Sequence, residues 1–228
     1  MRVKNKIITL ILLVAGIALL GGCSVNIGGN AVRGSGSMVT RSMDVGNDFS
    51  AISISGNFQI IYRQSPERGM TVVMQENLFQ YLTRIETSDT LFVGSSRGFN
   101  TTSENRPRLY IYAPYLTAAD LSGAVSANGW DVVEGQRFAL NISGAAGVNI
   151  TLDVERIDVD VSGAASITLD GTADILNILG SGALTVSAGD LTIESGRVDL
   201  SGAGTVTLSS LANVTINTSG AARVREAG

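Results

Sequence analysis

Six copies of Ser-Gly-Ala stand at 122–124, 143–145, 162–164, 181–183, 201–203 and 219–221, at spacings of 21, 19, 19, 20 and 18 residues. One tripeptide at a near-constant period restricts the chain to folds that stack a small unit on itself. Periods of about 20–50 residues belong to solenoids, arrays and propellers, and a four-stranded propeller blade takes about 40. The columns flanking the tripeptide choose among the rest. Three residues before each serine stand Ala119, Leu140, Val159, Ile178, Val198 and Ile216, and five after it stand Ala127, Val148, Ile167, Val186, Val206 and Val224. Asn141, Asp160, Asn177, Asp199, Asn217, Thr168 and Thr207 lie between the apolar columns. Apolar and polar residues thus alternate with period two, the pattern of strands with one buried face. The inward positions are mostly β-branched or leucine, which suits a pleated, half-buried surface. The expected fold is all-β: a single-domain, right-handed parallel β-helix with coils of about 19–20 residues, equivalent strands stacking about 4.8 Å apart.

In that fold Gly123, Gly144, Gly163, Gly182, Gly202 and Gly220 allow the chain to turn from one sheet to the next, because glycine adopts φ > 0 without steric cost. The serine before each is free to hydrogen-bond to backbone or to the serine of the next coil. Every coil must turn and every coil has the tripeptide, so the structural role is favoured over a serine-lined ligand groove. Before residue 119 the pattern is looser but still β. Phe49 to Tyr62 alternates and holds its own Ser55-Gly56 step, and Met70–Met74, Leu91–Val93 and Leu109–Tyr112 are further strands. Asn77–Leu82 reads as a single helical turn and Asn100–Arg106 as a loop before Pro107. Residues 38–118 are therefore expected to be the cap and first coils, and 119–228 the Ser-Gly-Ala coils, of one domain spanning 38–228. Arg223, Arg225 and Glu226 place charge on the last coil, which discourages strand addition at an open edge.

The start of the chain reads as an export signal. Arg2, Lys4 and Lys6 precede an uncharged, mostly apolar run from Ile7 to Leu20, and Gly21-Gly22 lead into Cys23. A basic head, about 7–15 apolar residues and a small-residue cleavage site define a signal peptide, and the run is short of the ~20 residues of a membrane span. Leu20-Gly21-Gly22-Cys23 resembles the lipobox of bacterial lipoproteins. That resemblance implies cleavage after residue 22, a diacylglyceryl group on the Cys23 sulfur and an acyl chain such as palmitate on its new amino group. Two or more acyl chains give stable anchoring to a membrane where one is marginal. Residues 23–37, rich in glycine and serine, read as a lipidated tether. Ser24 is not aspartate, so the usual sorting rule implies the outer membrane if the cell is Gram-negative, and otherwise the outer face of the plasma membrane.

Charge narrows the partners. Removal of Arg2, Lys4 and Lys6 with the signal leaves 13 basic groups of the original 16 against 20 acidic ones, a formal charge of −7. Both lysines leave with the signal, and the chain has no histidine. An acidic body argues against nucleic acid, whose affinity rests on neutralised phosphates, and against electrostatic adhesion to anionic lipid.

The opening Phe49–Ile60, the run Leu109-Tyr110-Ile111-Tyr112-Ala113-Pro114-Tyr115-Leu116 leading into Leu121-Ser122-Gly123-Ala124, and the recurring Ser-Gly-Ala coils resemble the putative auto-transporter adhesin head GIN domain family of bacterial envelope proteins. The resemblance covers about residues 40–226 and implies a β-helix-like fold, frequent attachment to lipoprotein signals and a role in adhesion. The chain departs from the family pattern near its end, where Leu208–Asn213 replaces an expected Tyr-x-Gly-x-Pro step.

Catalytic candidates are few. Without histidine the chain lacks the commonest general base and metal ligand, and an acylated Cys23 offers no thiol. No phosphate-binding or dinucleotide fingerprint is present, and no cofactor is expected. Asp153, Glu155, Asp158 and Asp160 cluster around Arg156, with Asp170 and Asp174 following. Asp153, Asp158 and Asp160 are oxygen ligands from which a weak calcium site would be built, although a solvated outer face is the favoured reading. Tyr110, Tyr112 and Tyr115 with Trp130 suggest a sugar-stacking surface, against the plainer expectation that Tyr110 and Tyr112 pack at the wide end of the helix. The chain is thus read as a non-enzymatic, lipid-anchored envelope protein displaying a β-helix, an adhesin or ligand-binding head for an envelope polysaccharide or a surface protein. The alternative is a carbohydrate-active β-helix, polysaccharide-binding or lyase-like, that works through Asp153–Asp174.

Overall fold

The computed structural model of the chain describes residues 31–45, 48–87 and 89–228. The signal expected over 1–22 and the expected lipidation site, Cys23, lie outside the described residues. Twelve strands follow in order: β1 (Val32–Arg33), β2 (Met38–Met43), β3 (Ala51–Gln64), β4 (Gly69–Gln75), β5 (Leu82–Glu86), β6 (Thr90–Ser95), β7 (Phe99–Asn100), β8 (Arg108–Ala113), β9 (Ala118–Ala127), β10 (Val133–Ala188), β11 (Leu191–Leu208) and β12 (Val214–Glu226). A short 3-10 helix, Glu76–Tyr81, covers the expected helical turn. The protein is all-β, with a large mixed sheet in the order β12-β11-β10-β9-β3-β8-β4-β2.

The repeats behave as their spacing requires. β9 pairs parallel with β10 from Ala118↔Ala139, β10 with β11 from Gly171↔Leu191, and β11 with β12 from Gly196↔Val214. These offsets reproduce the 21-, 20- and 18-residue spacings of the tripeptide. Extended over its 56 residues, β10 would run about 185 Å at ~3.3 Å per residue. It instead bends back to touch itself once per repeat. A Cβ on Gly163 would lie 2.3 Å from the Gly144 carbonyl oxygen, and one on Gly182 would lie 2.3 Å from that of Gly163. The same close approach runs from Gly56 through Gly123 and Gly144 and on to Gly202 and Gly220. The glycine is therefore required twice over, since Gly123 (φ +90°), Gly202 (φ +133°) and Gly220 (φ +84°) are left-handed and no side chain fits between stacked backbones. Ala119, Leu140, Val159, Ile178 and Val198 are buried, as are Ala127, Val148, Ile167, Val186 and Val206, so both apolar columns point inward.

Before residue 118 the arrangement departs from a run of parallel coils. β3 joins the repeat stack directly, with Ser55↔Ser122 and Gly56↔Gly123 in parallel register across 67 residues of sequence. On its other side β3 meets two separate segments, pairing parallel with β6 (Ala51↔Thr90) and with β8 (Gln59↔Arg108). Strands later in the chain thus lie outside an earlier one. Beyond them the sheet turns antiparallel, with β4 on β8, β2 on β4 and β5 on β6. Residues 38–118, expected to be the cap and first coils, thus form an assembly of parallel and antiparallel strands. Its antiparallel strands end the sheet on short edges, the six-residue β2 and the five-residue β5.

The segment expected to be a tether is also tied down at its end. β1 pairs parallel with β7 (Val32↔Phe99), the Ser35 amide donates to Asn77 Oδ1 at 2.8 Å, and Asn77 Nδ2 donates to the Arg33 carbonyl at 2.9 Å. Asn77 holds both groups because the 3-10 helix presents its side chain beside β1.

Candidate functional site

Outward-facing residues of the repeats form the most organised surface. Residues two apart on a strand share a face, and parallel register places equivalent positions about 4.8 Å apart in the next repeat. Short polar side chains then bond between repeats. Asn141 Nδ2 donates to Asp120 Oδ1 at 2.5 Å, Asn177 Nδ2 to Asp158 Oδ1 at 2.9 Å, and Asn217 Nδ2 to Asp199 Oδ1 at 2.6 Å. Each pair sets an amide beside a carboxylate where two stacked carboxylates would repel.

Arginines complete this face. Arg156 Nε lies 3.0 Å from both Asp158 oxygens, Arg137 Nη2 reaches Asp158 Oδ2 at 2.8 Å from the preceding repeat, and Arg197 Nε is 2.5 Å from Asp199 Oδ2. Partial burial pushes the Asp158 carboxyl upward. The hydrogen bonds from Arg156 and Asn177 and the charges of Arg137 and Arg156 outweigh it, so the carboxyl sits below its ordinary value. Asp199 is lowered by hydrogen bonds from Arg197 and Asn217. Such acids are fixed anions rather than proton donors at neutral pH.

This pairing separates the sequence-derived calcium candidates. Asp158 is taken by two guanidinium groups, Asp153 accepts from Thr172 Oγ1 at 2.6 Å, and Asp160 is exposed in the column that continues to Leu179. Among the described residues no group of three or more Asp, Glu, Cys or His is placed to hold a metal ion. Asp153 instead shares a shallow groove of about 360 Å³ with Glu155, Thr172, Asp174, Thr192 and Glu194. Glu194 was missed by sequence reasoning, although the repeat finds it: one period beyond Glu155 is Asp174, and one more is Glu194.

The aromatic residues divide differently from expectation. Trp130 is partly buried, its Nε1 donating to the Ile60 carbonyl at 2.8 Å, with its ring 5.9 Å from Tyr62 and 6.5 Å from Phe138, both edge-on. Burial, with smaller contributions from the Asp131 and Glu134 charges, pushes the Tyr62 hydroxyl up to about 12. Tyr110 and Tyr112 are half-buried on β8, and Tyr115 is exposed with the Arg68 guanidinium 5.7 Å from its ring centre. The indole is thus partly engaged with the core, while Tyr115 stays exposed.

The serine column behaves as a backbone support. Ser122 Oγ donates to the Ile54 carbonyl and Ser181 Oγ to that of Val161, each at 3.5 Å. Beyond the glycine corner, Ala145, Gly147, Ala164, Ser166 and Ala183 leave a shallow face of small residues. Arg106, at the end of the expected loop, reaches across to the Ala124 carbonyl at 2.6 Å. Burial lowers its guanidinium from the ordinary value.

A putative adhesin from Bacteroides fragilis superposes with a TM-score of 0.70 at 16% identity, over 86% of this chain and all of that one. A putative adhesin from Parabacteroides merdae gives 0.59 at 16% identity, over 88% of this chain and all of that one. A protein from Parabacteroides distasonis described as a putative lipid binding protein gives 0.58 at 14% identity, over 87% of this chain and all of that one. At these identities the likeness is one of fold. No curated protein sequence matches the chain. Over residues 48–228 the sequence matches the family described as Putative auto-transporter adhesin, head GIN domain, and the chain belongs to that family.

Proposed function

We propose that this protein is a non-enzymatic envelope lipoprotein, anchored through Cys23, that presents a parallel β-helix as an adhesive or ligand-binding head. Family membership supports the adhesin reading and export to the cell surface. The β-helix is supported by parallel pairing at the repeat offset and by the glycine-on-glycine contacts that bring β10 back to itself. The observation that carries the binding role is the cross-repeat lattice of Asp120–Asn141, Arg137–Asp158–Asn177 and Arg197–Asp199–Asn217. It is a fixed array of donors and acceptors on a stacked backbone, and a partner meeting it would lose little conformational entropy to its ordering. An envelope polysaccharide, with hydroxyls at regular intervals, fits such an array.

The test is a screen of a protein spanning residues 24–228 against glycans and envelope polysaccharides, with and without calcium. Saturable binding that is lost in Asp158→Ala together with Asn177→Ala supports the reading. Binding to no glycan in the screen redirects it to a protein partner, sought by cross-linking in intact cells. The acidic groove of Asp153, Glu155, Asp174 and Glu194 favours the second reading, a carbohydrate-active surface. Breakdown of a polysaccharide in the same wells, abolished by Asp174→Asn, would promote it.

A further inference from the structure

The two ends of the main strand order differ, and the β6–β5 branch leaves a further edge at β5. One ends in β2, six residues long and antiparallel to β4, where Arg41 pairs with Glu76 and lies 4.2 Å over the Phe79 ring. The other ends in β12, thirteen residues long, and among the described residues no strand pairs with its outer side. Ile216 on β12 is 38% exposed, whereas Val198 and Ile178 in the same inward column are 0% and 1% exposed. Val214, Ala222 and Val224 are likewise only partly covered, although they pack on the core. A long row of unpaired backbone groups beside uncovered core residues is the arrangement that recruits another strand.

We propose that β12 pairs antiparallel with β12 of a second copy of this chain, about a two-fold axis through Gly220. Gly220 is the corner of β12, with six residues on each side, 214–219 and 221–226. A two-fold axis bisecting that corner lays each arm along the opposite arm of the other copy, so one self-complementary patch satisfies both chains. In this register Val224 faces Ile216, Ala222 faces Thr218, Arg223 faces Asn217 and Arg225 faces Thr215. Inward residues oppose inward ones, which register requires, since a one-residue slip would turn the apolar set outward. Each arginine meets an amide or a hydroxyl, so the charge on this edge, which discourages addition of an arbitrary strand, selects this register of a second copy over those that set arginine against arginine. A slip that aligned the two C-terminal arms would set Arg223 against Arg225 of the other copy. Head-to-tail stacking would instead seat the thirteen-residue β12 on an edge divided between the six-residue β2 and the five-residue β5, which lie on separate branches of the sheet.

The experiment uses the full chain carrying Cys23→Ala, in mild detergent, followed by sedimentation velocity and by oxidative cross-linking. The expected result is a concentration-dependent dimer. Asn217→Cys with Arg223→Cys in one chain should give a covalent dimer, and either cysteine alone should not, because only residue 220 opposes itself. Thr215→Arg sets two like-charge pairs across the dimer and should weaken it about tenfold, while Thr215→Glu should tighten it. Circular dichroism of each variant establishes that the fold persists. A monomer across the micromolar range, equal dimerisation by both Thr215 variants, or cross-linking by either single cysteine would overturn the proposal.

Discussion

The stack from β9 to β12 and the assembly from β1 to β8 keep one core continuous by opposite means. In the stack equivalent positions pair in register, so most inward positions are filled by Val, Ile, Leu or Ala, and a glycine of each repeat lies against the glycine of the one before it. In the earlier part the core must end, and bulky residues fill the irregular volume. Of the largest fully buried side chains, Tyr62, Phe49, Phe58, Met70, Met74 and Leu78 all precede β9, and Phe138 alone among them lies in the stack. Phe58 meets Phe99 edge-on at 6.0 Å. A stack tolerates few shapes at each position, whereas a cap tolerates any shapes that sum to the right volume. That difference makes one region repetitive in sequence and the other not.

Substitutions that attack each region by its own logic separate the two, and the glycine column should be the most sensitive. Gly182→Ala would force a Cβ to 2.3 Å from the Gly163 carbonyl oxygen at φ +143°. Left-handed strain and a backbone that cannot retreat should together cost roughly 3–6 kcal/mol, measured by urea unfolding. In the cap, Phe58→Ala should cost about 3–5 kcal/mol by leaving a cavity beside Phe99, seen as a fall in the denaturation midpoint. Phe58→Leu should recover much of it, since the cap depends on volume. A full recovery of Gly182→Ala by any nearby core substitution would contradict the account of the stack.

Smaller effects test the surface lattice. Asp158→Asn removes the anion shared by Arg137 and Arg156 and should cost about 1 kcal/mol at neutral pH. The folded carboxyl lies below its ordinary value of 3.8. Its contribution is therefore complete above the unfolded value of about 3.9 and is lost as pH falls through the lower, folded value. Unfolding measured from pH 6 downward should show a difference between wild type and Asp158→Asn that is constant to about pH 4 and shrinks below it. The smallest effect is expected at Gly147, in the same repeat as Gly144. A Cβ there meets nothing within 4 Å, so Gly147→Ala should stay within about 0.5 kcal/mol of wild type. The contrast with Gly182→Ala would show that position in the corner, rather than glycine as such, makes the column indispensable.

Much of the stack was legible in the chain alone. The Ser-Gly-Ala spacing anticipated the offsets of the strand pairs, and period-two alternation picked out the columns that the core buries. Both are local, repeated signals, and repetition averages away the ambiguity of any single strand. The cross-repeat site was half legible. Asp158 and Arg156 stood close in sequence, but Arg137 and Asn177 join them only because the repeats stack in register. Glu194 joins Asp153 for the same reason, and Trp130 packs partly on the core because Tyr62, Phe138 and the Ile60 carbonyl lie beside it.

By itself, then, the sequence determined that the chain repeats, that it is all-β, and which residues face inward, since these follow from steric and hydrophobic rules acting over two residues or one period. Only the tertiary structure decided that β3 lies between β9 and the later strands β6 and β8, and that the sheet turns antiparallel beyond them. Such pairings join segments up to 67 residues apart, and they are selected by which edges remain open and which volumes remain to be filled, quantities that no local pattern records.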